Sequence, residues 1–207
     1  VNQESPPRHK PLRLAGYDYA QAGTYVVTVV VQGRKCCLGS VENYAFRPTV
    51  AGDIVREVWE RLPKRFPSID LDAFVVMPNH VHGIVSLGAK PFSGGETAIN
   101  GGATGEQDRV APPFMADSHA SSPAPGSQSN NLRPPSRDPT LPALGEVVRS
   151  LKAASTTRIR KEWMPDFKWQ ARYWDRIVRN DAELDRFRSY IFTNPERWTL
   201  DREFSER

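Results

Sequence analysis

The chain predicts an α+β fold, an antiparallel sheet with helices packed on one side of it. Three observations carry that expectation. Strand-like and helix-like apolar patterns follow one another in the order β-β-α-β-β-linker-α-β-α. The strand-like runs are rich in β-branched residues and bounded by turn residues. A long Pro/Gly/Ser-rich stretch without any apolar period, residues 90–140, separates the first five elements from the last three.

Residues 1–13 are polar and basic and read as a loosely held arm before a single domain over 14–207. Residues 24–31, Thr-Tyr-Val-Val-Thr-Val-Val-Val, form a buried strand. A second strand at 40–46 is expected to pair with it through the turn near Gly39. Residues 49–66 predict a helix, because Ile54, Val55, Val58, Trp59 and Leu62 fall along one face and Pro63 and Pro67 punctuate its end. Residues 69–76 and 80–87 follow as strands, joined through Met77-Pro78-Asn79. The 90–140 stretch buries too little to offset its chain entropy and is expected to be a disordered insertion.

Order is expected to resume at Leu141. Leu144, Val147, Val148, Leu151 and Ile159 trace an amphipathic helix, and 169–178 reads as a short extended segment. A last helix starts at Asn180, an N-cap with Glu183 three residues on as in a capping box. Leu184, Phe187 and Ile191 form its apolar stripe. Asn194-Pro195 is expected to end it, since a residue before proline is disfavoured in helical geometry.

Charge narrows the function classes only a little. The 28 basic and 24 acidic residues of this 207-residue chain give a formal charge of +4, compatible with a nucleic-acid partner. Five basic residues and no acid lie between Arg149 and Lys161. Arg149, Lys152 and Arg158 are therefore candidates for contacts to a DNA phosphate backbone, against the plainer reading of a solvated helix face. No run of eighteen apolar residues exists, so no membrane role is expected. The first residues lack the apolar core of a signal peptide. The adjacent Cys36 and Cys37 read as reduced thiols in a strand, which points to a cytoplasmic protein.

The chemistry concentrates at His80-Val81-His82. Two residues apart in a strand, both imidazoles project from one face and can converge on one ion or one phosphate. Only four histidines are present, and His9 and His119 lie in polar, Pro-rich stretches. No Cys-x-x-Cys or His-Glu-x-x-His motif occurs, so the usual zinc frameworks are absent and a third ligand must come from elsewhere. Tyr190 and Asn194, spaced i, i+4 on the last helix, share a face. An amide oxygen is an acceptable ligand for a hard divalent ion, and a tyrosine beside it could act as a nucleophile. Taken singly, Tyr190 reads as a core aromatic beside Phe187 and Asn194 as a helix C-cap.

The combination of His80-Val81-His82 with Ser189-Tyr190-Ile-Phe-Thr-Asn194-Pro195 closely resembles the single-tyrosine HUH transposases of bacteria, the REP-associated tyrosine transposases in particular. The resemblance extends to Arg13-Leu-Ala-Gly-Tyr-Asp-Tyr19, Val76-Met-Pro-Asn-His80, Trp169-Gln-Ala-Arg-Tyr-Trp-Asp-Arg176 and Ile177-Val-Arg-Asn180, and so to most of the chain outside the arm and the insertion. It implies a ferredoxin-like, RRM-like α+β sandwich, with His80 and His82 as metal ligands, Asn194 as the polar third ligand and Tyr190 as the nucleophile. It further implies Mg²⁺ or Mn²⁺, and a hairpin-forming single-stranded DNA partner cleaved and rejoined through a 5′-phosphotyrosine. The protein would be cytoplasmic and nucleoid-associated, as a monomer or homodimer. The 90–140 insertion departs from the family pattern. Trp169, Tyr173 and Trp174 are candidates for stacking on unpaired bases, with core packing as the alternative. Two rival readings are a hairpin-DNA-binding module without cleavage, and a zinc-dependent hydrolase built on His80 and His82. The second wants further His, Asp or Glu ligands close by, and residues 83–88 supply none.

Overall fold

Alternation along the first strand sets the architecture. β1 (Gly23–Val30) is buried almost throughout. It turns Tyr25, Val27 and Val29 to one side, and Thr24, Val26 and Thr28 to the other. β2 (Gly39–Glu42), β3 (Ala45–Pro48), α1 (Val50–Glu60), the short α2 (Leu62–Arg65), β4 (Ile69–Val76) and β5 (His80–Leu87) follow. Then come α3 (Leu144–Glu162), β6 (Trp174–Ile177), α4 (Asp181–Thr193) and a 3₁₀ segment, Pro195–Leu200. This computed structural model describes residues 19–88 and 138–200. The expected arm at 1–13 and nearly all of the 90–140 stretch lie outside the described residues.

The main sheet runs β4-β5-β1-β6, and every neighbouring pair is antiparallel. With α1 crossing from β1 to β4 and α3 standing between β5 and β6 in the chain, this is the ferredoxin-like arrangement of two split βαβ units. The residues before and after the long central stretch therefore complete one sheet, with β6 added to the free edge of β1.

Helices cover both faces rather than one. Ile54, Val55 and Trp59 of α1 and Leu144, Val148, Leu151 and Ile159 of α3 pack with Tyr25, Val27, Val29, Val81 and Val85 on the first face. Leu184, Phe187 and Ile191 of α4 pack with Val26, Ile84 and Val178 on the second. β1 and β5 are accordingly buried on both sides, with polar Thr24, Thr28, His80, His82 and Ser86 among the residues covered on the second.

The strand expected at 40–46 divides in two. β2 and β3 pair with each other, not with β1, because Asn43 and Tyr44 take positive φ (49° and 63°) and turn the chain sharply. Both edges of β1 are in any case occupied by β5 and β6. Cys36 and Cys37 lie in the connection between β1 and β2 rather than in a strand. Neither is in a disulfide, and burial pushes the Cys37 thiol up to about 11.

Helix ends follow their caps, with two departures. Thr49 Oγ1 accepts from the Gly52 N–H, and Asn180 Oδ1 accepts from the Glu183 N–H at 2.9 Å. The Glu183 carboxylate does not close the box on Asn180. It accepts instead from the Arg179 N–H at 2.8 Å and from Arg176. Asn194 keeps helical angles (φ −57°, ψ −43°) despite preceding Pro195. The chain there starts a new helical turn, with the Arg197 N–H donating to the Asn194 carbonyl.

A glycine beside the histidine pair lets a tryptophan dock. Gly83 faces Phe74 across β4, and the Trp59 ring stacks on Phe74 at 4.5 Å and 10°. A Cβ at Gly83 would lie 2.5 Å from Trp59 Cη2. Gly83→Ala should therefore lower stability by ~1–3 kcal/mol, whereas alanine at an unobstructed strand position raises it. Chemical denaturation measures the sign directly, and a stabilised variant would contradict this packing.

Candidate active site

Period-two geometry places His80 and His82 on the second face of the sheet, the face that carries Ile84 and α4. Both imidazoles are buried, at 0% and 2% exposure. Buried rings need partners for their nitrogens, and the neighbouring strand and turn supply them. The Pro78-Asn79 turn between β4 and β5 is closed by the Met77 N–H on the His80 carbonyl, and the Leu38 N–H donates to the Pro78 carbonyl. Asn79 Nδ2 donates to the Arg34 carbonyl at 3.1 Å, which turns its Oδ1 toward His80 Nδ1 at 2.8 Å. Since an amide oxygen only accepts, His80 carries its proton on Nδ1 and presents a lone pair on Nε2. His82 Nδ1 meets the Thr28 hydroxyl at 2.8 Å, a partner able to donate or accept.

These outer bonds aim the two inner nitrogens at one place. His80 Nε2 and His82 Nε2 are 2.9 Å apart. Two ligands about 2.1 Å from one ion and at right angles to each other are separated by about 3.0 Å. The pair is thus already spaced as neighbouring ligands, with the outer nitrogens held as metal-binding histidines require.

Helix α4 brings the remaining groups. Its N-terminal turn is tied to the β6 edge by Glu183, whose carboxylate meets Arg176 at 2.8 Å. Its middle is tied to the opposite edge by Arg188, which donates to Asp72 of β4 through Nε at 3.0 Å and Nη2 at 2.7 Å. The Asp72 and Asp185 carboxylates hold the Arg188 guanidinium far above its ordinary pKa, so it is charged at any working pH. Strapped to both edges, α4 sets the Tyr190 ring against His82, with centroids 5.3 Å apart and the phenol oxygen 3.4 Å from His82 Nε2. Eight residues on, Trp198 of the 3₁₀ segment lies against His80 at 5.9 Å. Asn194 falls midway between these two contacts. It is 2% exposed, and its Oδ1 has no hydrogen-bond partner. An acceptor buried without a donor is costly, and it is the group expected of a ligand oxygen. No cluster of three His, Cys, Asp or Glu side chains exists among the described residues. An ion held here would take two imidazoles and this amide, a donor set that fits a hard or borderline divalent cation.

Of the sequence candidates, the fold brings His80, His82 and Tyr190 into contact and places Asn194 in the same stretch of chain. It does not bring the three basic residues there. α3 packs on the first face, so Arg149, Lys152 and Arg158 belong to the layer on the other side of the sheet. Lys152 Nζ is spent on the Gln170, Ala171 and Arg172 carbonyls at 2.6–3.1 Å. Arg158 pairs with Glu57 at 2.8 Å and Glu162 at 3.2 Å. Arg149 makes no ion pair or hydrogen bond among the described residues, and it lines a surface groove with Ser150 and Ala153. Thr28 and Asn79 were missed as positioning residues. Their signal was present: Thr24 and Thr28 interrupt an apolar run at one-face spacing, and Asn79 directly precedes the histidine pair.

No family model matches the chain. A Haemophilus influenzae protein of unassigned function is 27% identical over 192 residues, covering 93% of this chain and 91% of its own. Among solved structures, a REP-associated tyrosine transposase bound to a REP hairpin superposes with a TM-score of 0.50 and 17% identity, over 93% of this chain and 76% of its own. A candidate transposase of Deinococcus radiodurans R1 aligns with a TM-score of 0.41 and 14% identity, over 87% and 95%. The chain accordingly shares its overall fold with the REP-associated tyrosine transposase.

Proposed function

We propose that this chain cleaves and rejoins single-stranded, hairpin-forming DNA through a covalent tyrosine intermediate, as a transposase of the HUH type. The observation that carries the reading is the meeting of His80 Nε2, His82 Nε2 and the Tyr190 hydroxyl in one buried place, with the unpartnered Asn194 oxygen on the same helix. The solved transposase of the same fold is bound to a REP hairpin, which supports a hairpin DNA as the partner.

His80, His82 and Asn194 would hold a Mg²⁺ or Mn²⁺ ion. When bound, such an ion polarises a scissile phosphate and offsets the charge that builds on its oxygens. The three ligands are neutral, so none of that positive charge is cancelled by the protein. Tyr190 supplies the nucleophile. Its phenol loses a proton to solvent, the Oη–P bond forms, and the bond from phosphorus to the 3′ oxygen breaks. The departing oxygen takes a proton and leaves as a free 3′-hydroxyl. The tyrosine keeps the 5′-phosphate as a diester, so a 3′-hydroxyl can reverse the attack and join strands without a nucleotide cofactor. Asn79 and Thr28 hold the rings in the orientation that points both Nε2 lone pairs inward.

A hairpin oligonucleotide incubated with the protein and Mn²⁺ should give a covalent adduct on a denaturing gel, absent in Tyr190→Phe. An adduct that persists in that variant would sink the nucleophile assignment, and binding without any adduct in the parent would favour a recognition module. Thr28→Val keeps the side-chain shape and removes the partner of His82 Nδ1. Calorimetric Mn²⁺ affinity should fall about 10–100-fold in it, with the fold intact by circular dichroism; unchanged affinity would remove Thr28 from the site.

A further inference from the structure

Away from the histidines, one surface collects charge of a single sign. The outer side of α3 and the segment 168–171 enclose a groove of about 470 Å³, lined by Arg149, Lys152, Arg160 and Lys168 and by no acidic residue. Arg149 and Arg160 are eleven residues apart, three helical turns, so they stand in line about 16 Å from each other along the axis. Ala153, Thr156 and Thr157 lie between them. This floor of short side chains lets a polymer backbone come close. The opposite wall is fastened by Lys152, whose ammonium donates to the Gln170, Ala171 and Arg172 carbonyls. Arg160 donates from Nε to the Phe167 carbonyl at 2.9 Å, which holds its guanidinium beside that wall, and Lys168 is exposed on it. Among the described residues, no carboxylate pairs with Arg149, Arg160 or Lys168.

The lining selects among anions. Unpaired strands are held by bases stacked on exposed rings. The one aromatic lining this groove, Trp169, is 8% exposed and donates from Nε1 to Ser155 Oγ at 3.0 Å. Fixed cations above short side chains suit instead a phosphate backbone whose bases are turned away, as in a duplex. The distance from Arg149 to Arg160 along the helix matches the rise of about five base pairs. Register then ties the groove to the histidines. Val30 pairs with His80 on one side, and on the other its carbonyl accepts from the Gln170 N–H at 2.8 Å. Trp169 bridges Val31, and the Lys168 carbonyl accepts from the Gln32 N–H. The groove wall is thus a continuation of the sheet edge, two strand spacings or about 10 Å from the His80 backbone.

We propose that this groove seats the phosphate backbone of the paired stem of a DNA hairpin, with Arg149, Arg160 and Lys168 as its contacts. This rests on the DNA-cleaving reading given above. It adds where the stem lies, on the α3 side of the sheet, and where a strand leaving it rounds the edge at Val30 and Gln170 to reach the histidines. Lys152 builds the wall rather than the contact, and Arg158 stays with Glu57 and Glu162. Contacts of this kind are made to phosphates and carry no base preference of their own.

The test is the affinity for a fluorescein-labelled DNA hairpin as a function of salt, in the parent, in the double variant Arg149→Ala/Lys168→Ala and in Arg56→Ala. Each lost phosphate contact flattens the log–log salt slope by about one. The double variant should therefore be shallower by about two and bind about 10–100-fold more weakly near ~0.1 M salt, with circular dichroism unchanged. Arg56→Ala removes an exposed cation of α1 that pairs with Asp53, and should keep the parent slope. In the double variant, affinity for an unpaired oligothymidine and Mn²⁺ affinity without DNA should equal the parent's. An unchanged slope in the double variant, a matching change in Arg56→Ala or an equal loss for the oligothymidine would overturn the stem groove, while a covalent adduct in the parent leaves the DNA-cleaving reading standing. A flattened slope with no adduct in the parent would keep the groove and overturn cleavage. A parent that binds no hairpin would overturn both.

Discussion

Two imidazoles buried together are the constraint on which the site depends. A ring nitrogen without a partner in a dry environment is costly, so burying His80 and His82 demands a neighbour for each of four nitrogens. Asn79 and Thr28 take the outer two, and the inner two face each other at 2.9 Å. Much nearby architecture serves those bonds. The Pro78-Asn79 turn is gripped by residues 34–38, and β1 contributes Thr28, one of two threonines in an otherwise largely apolar run. Gly83, next to the pair, opens the opposite face to Trp59 so that the strand can be covered on both sides.

The second half of the site is a helix held by ion pairs at its N-terminal turn and its middle, and not by an apolar stripe alone. Glu183 with Arg176 and Arg188 with Asp72 fasten α4 to both edge strands. The first pair is almost dry and the second about a third exposed on its arginine, so the first is the more costly to break. Between these fastenings and the 3₁₀ segment, Tyr190, Asn194 and Trp198 follow one another at four-residue steps. Two of them touch the histidines, and the third carries a buried oxygen with no hydrogen-bond partner.

Much of this was legible beforehand, for reasons that can be named. β5 was clear because the His-Val-His alternation has the period of a strand, and α4 because Asn180 and the Leu184, Phe187, Ile191 spacing agree on where it starts and which side it buries. The side of the sheet on which α4 packs was not legible. An apolar run such as 24–31 shows that a strand is buried but not how its two faces are shared out. The β2–β3 hairpin was missed because its turn uses Asn43-Tyr44, where a glycine would have announced positive φ. The surroundings of the basic residues of α3 were hidden for a related reason. Charge along a helix does not reveal which carbonyls and carboxylates the fold brings to it, and Lys152 and Arg158 spend theirs internally.

The account turns on Asn194 completing a three-ligand set with the two histidines. Titration of Mn²⁺ into the parent and into Asn194→Ala, followed by calorimetry and by the electron spin resonance signal of free Mn²⁺, tests it most directly. One ion should bind per chain in the parent, with affinity at least about tenfold lower in the variant, while thermal unfolding of the ion-free proteins shows the variant folded. Equal Mn²⁺ affinity in the folded variant would contradict the assignment, and with it the reason given for burying that oxygen unpaired.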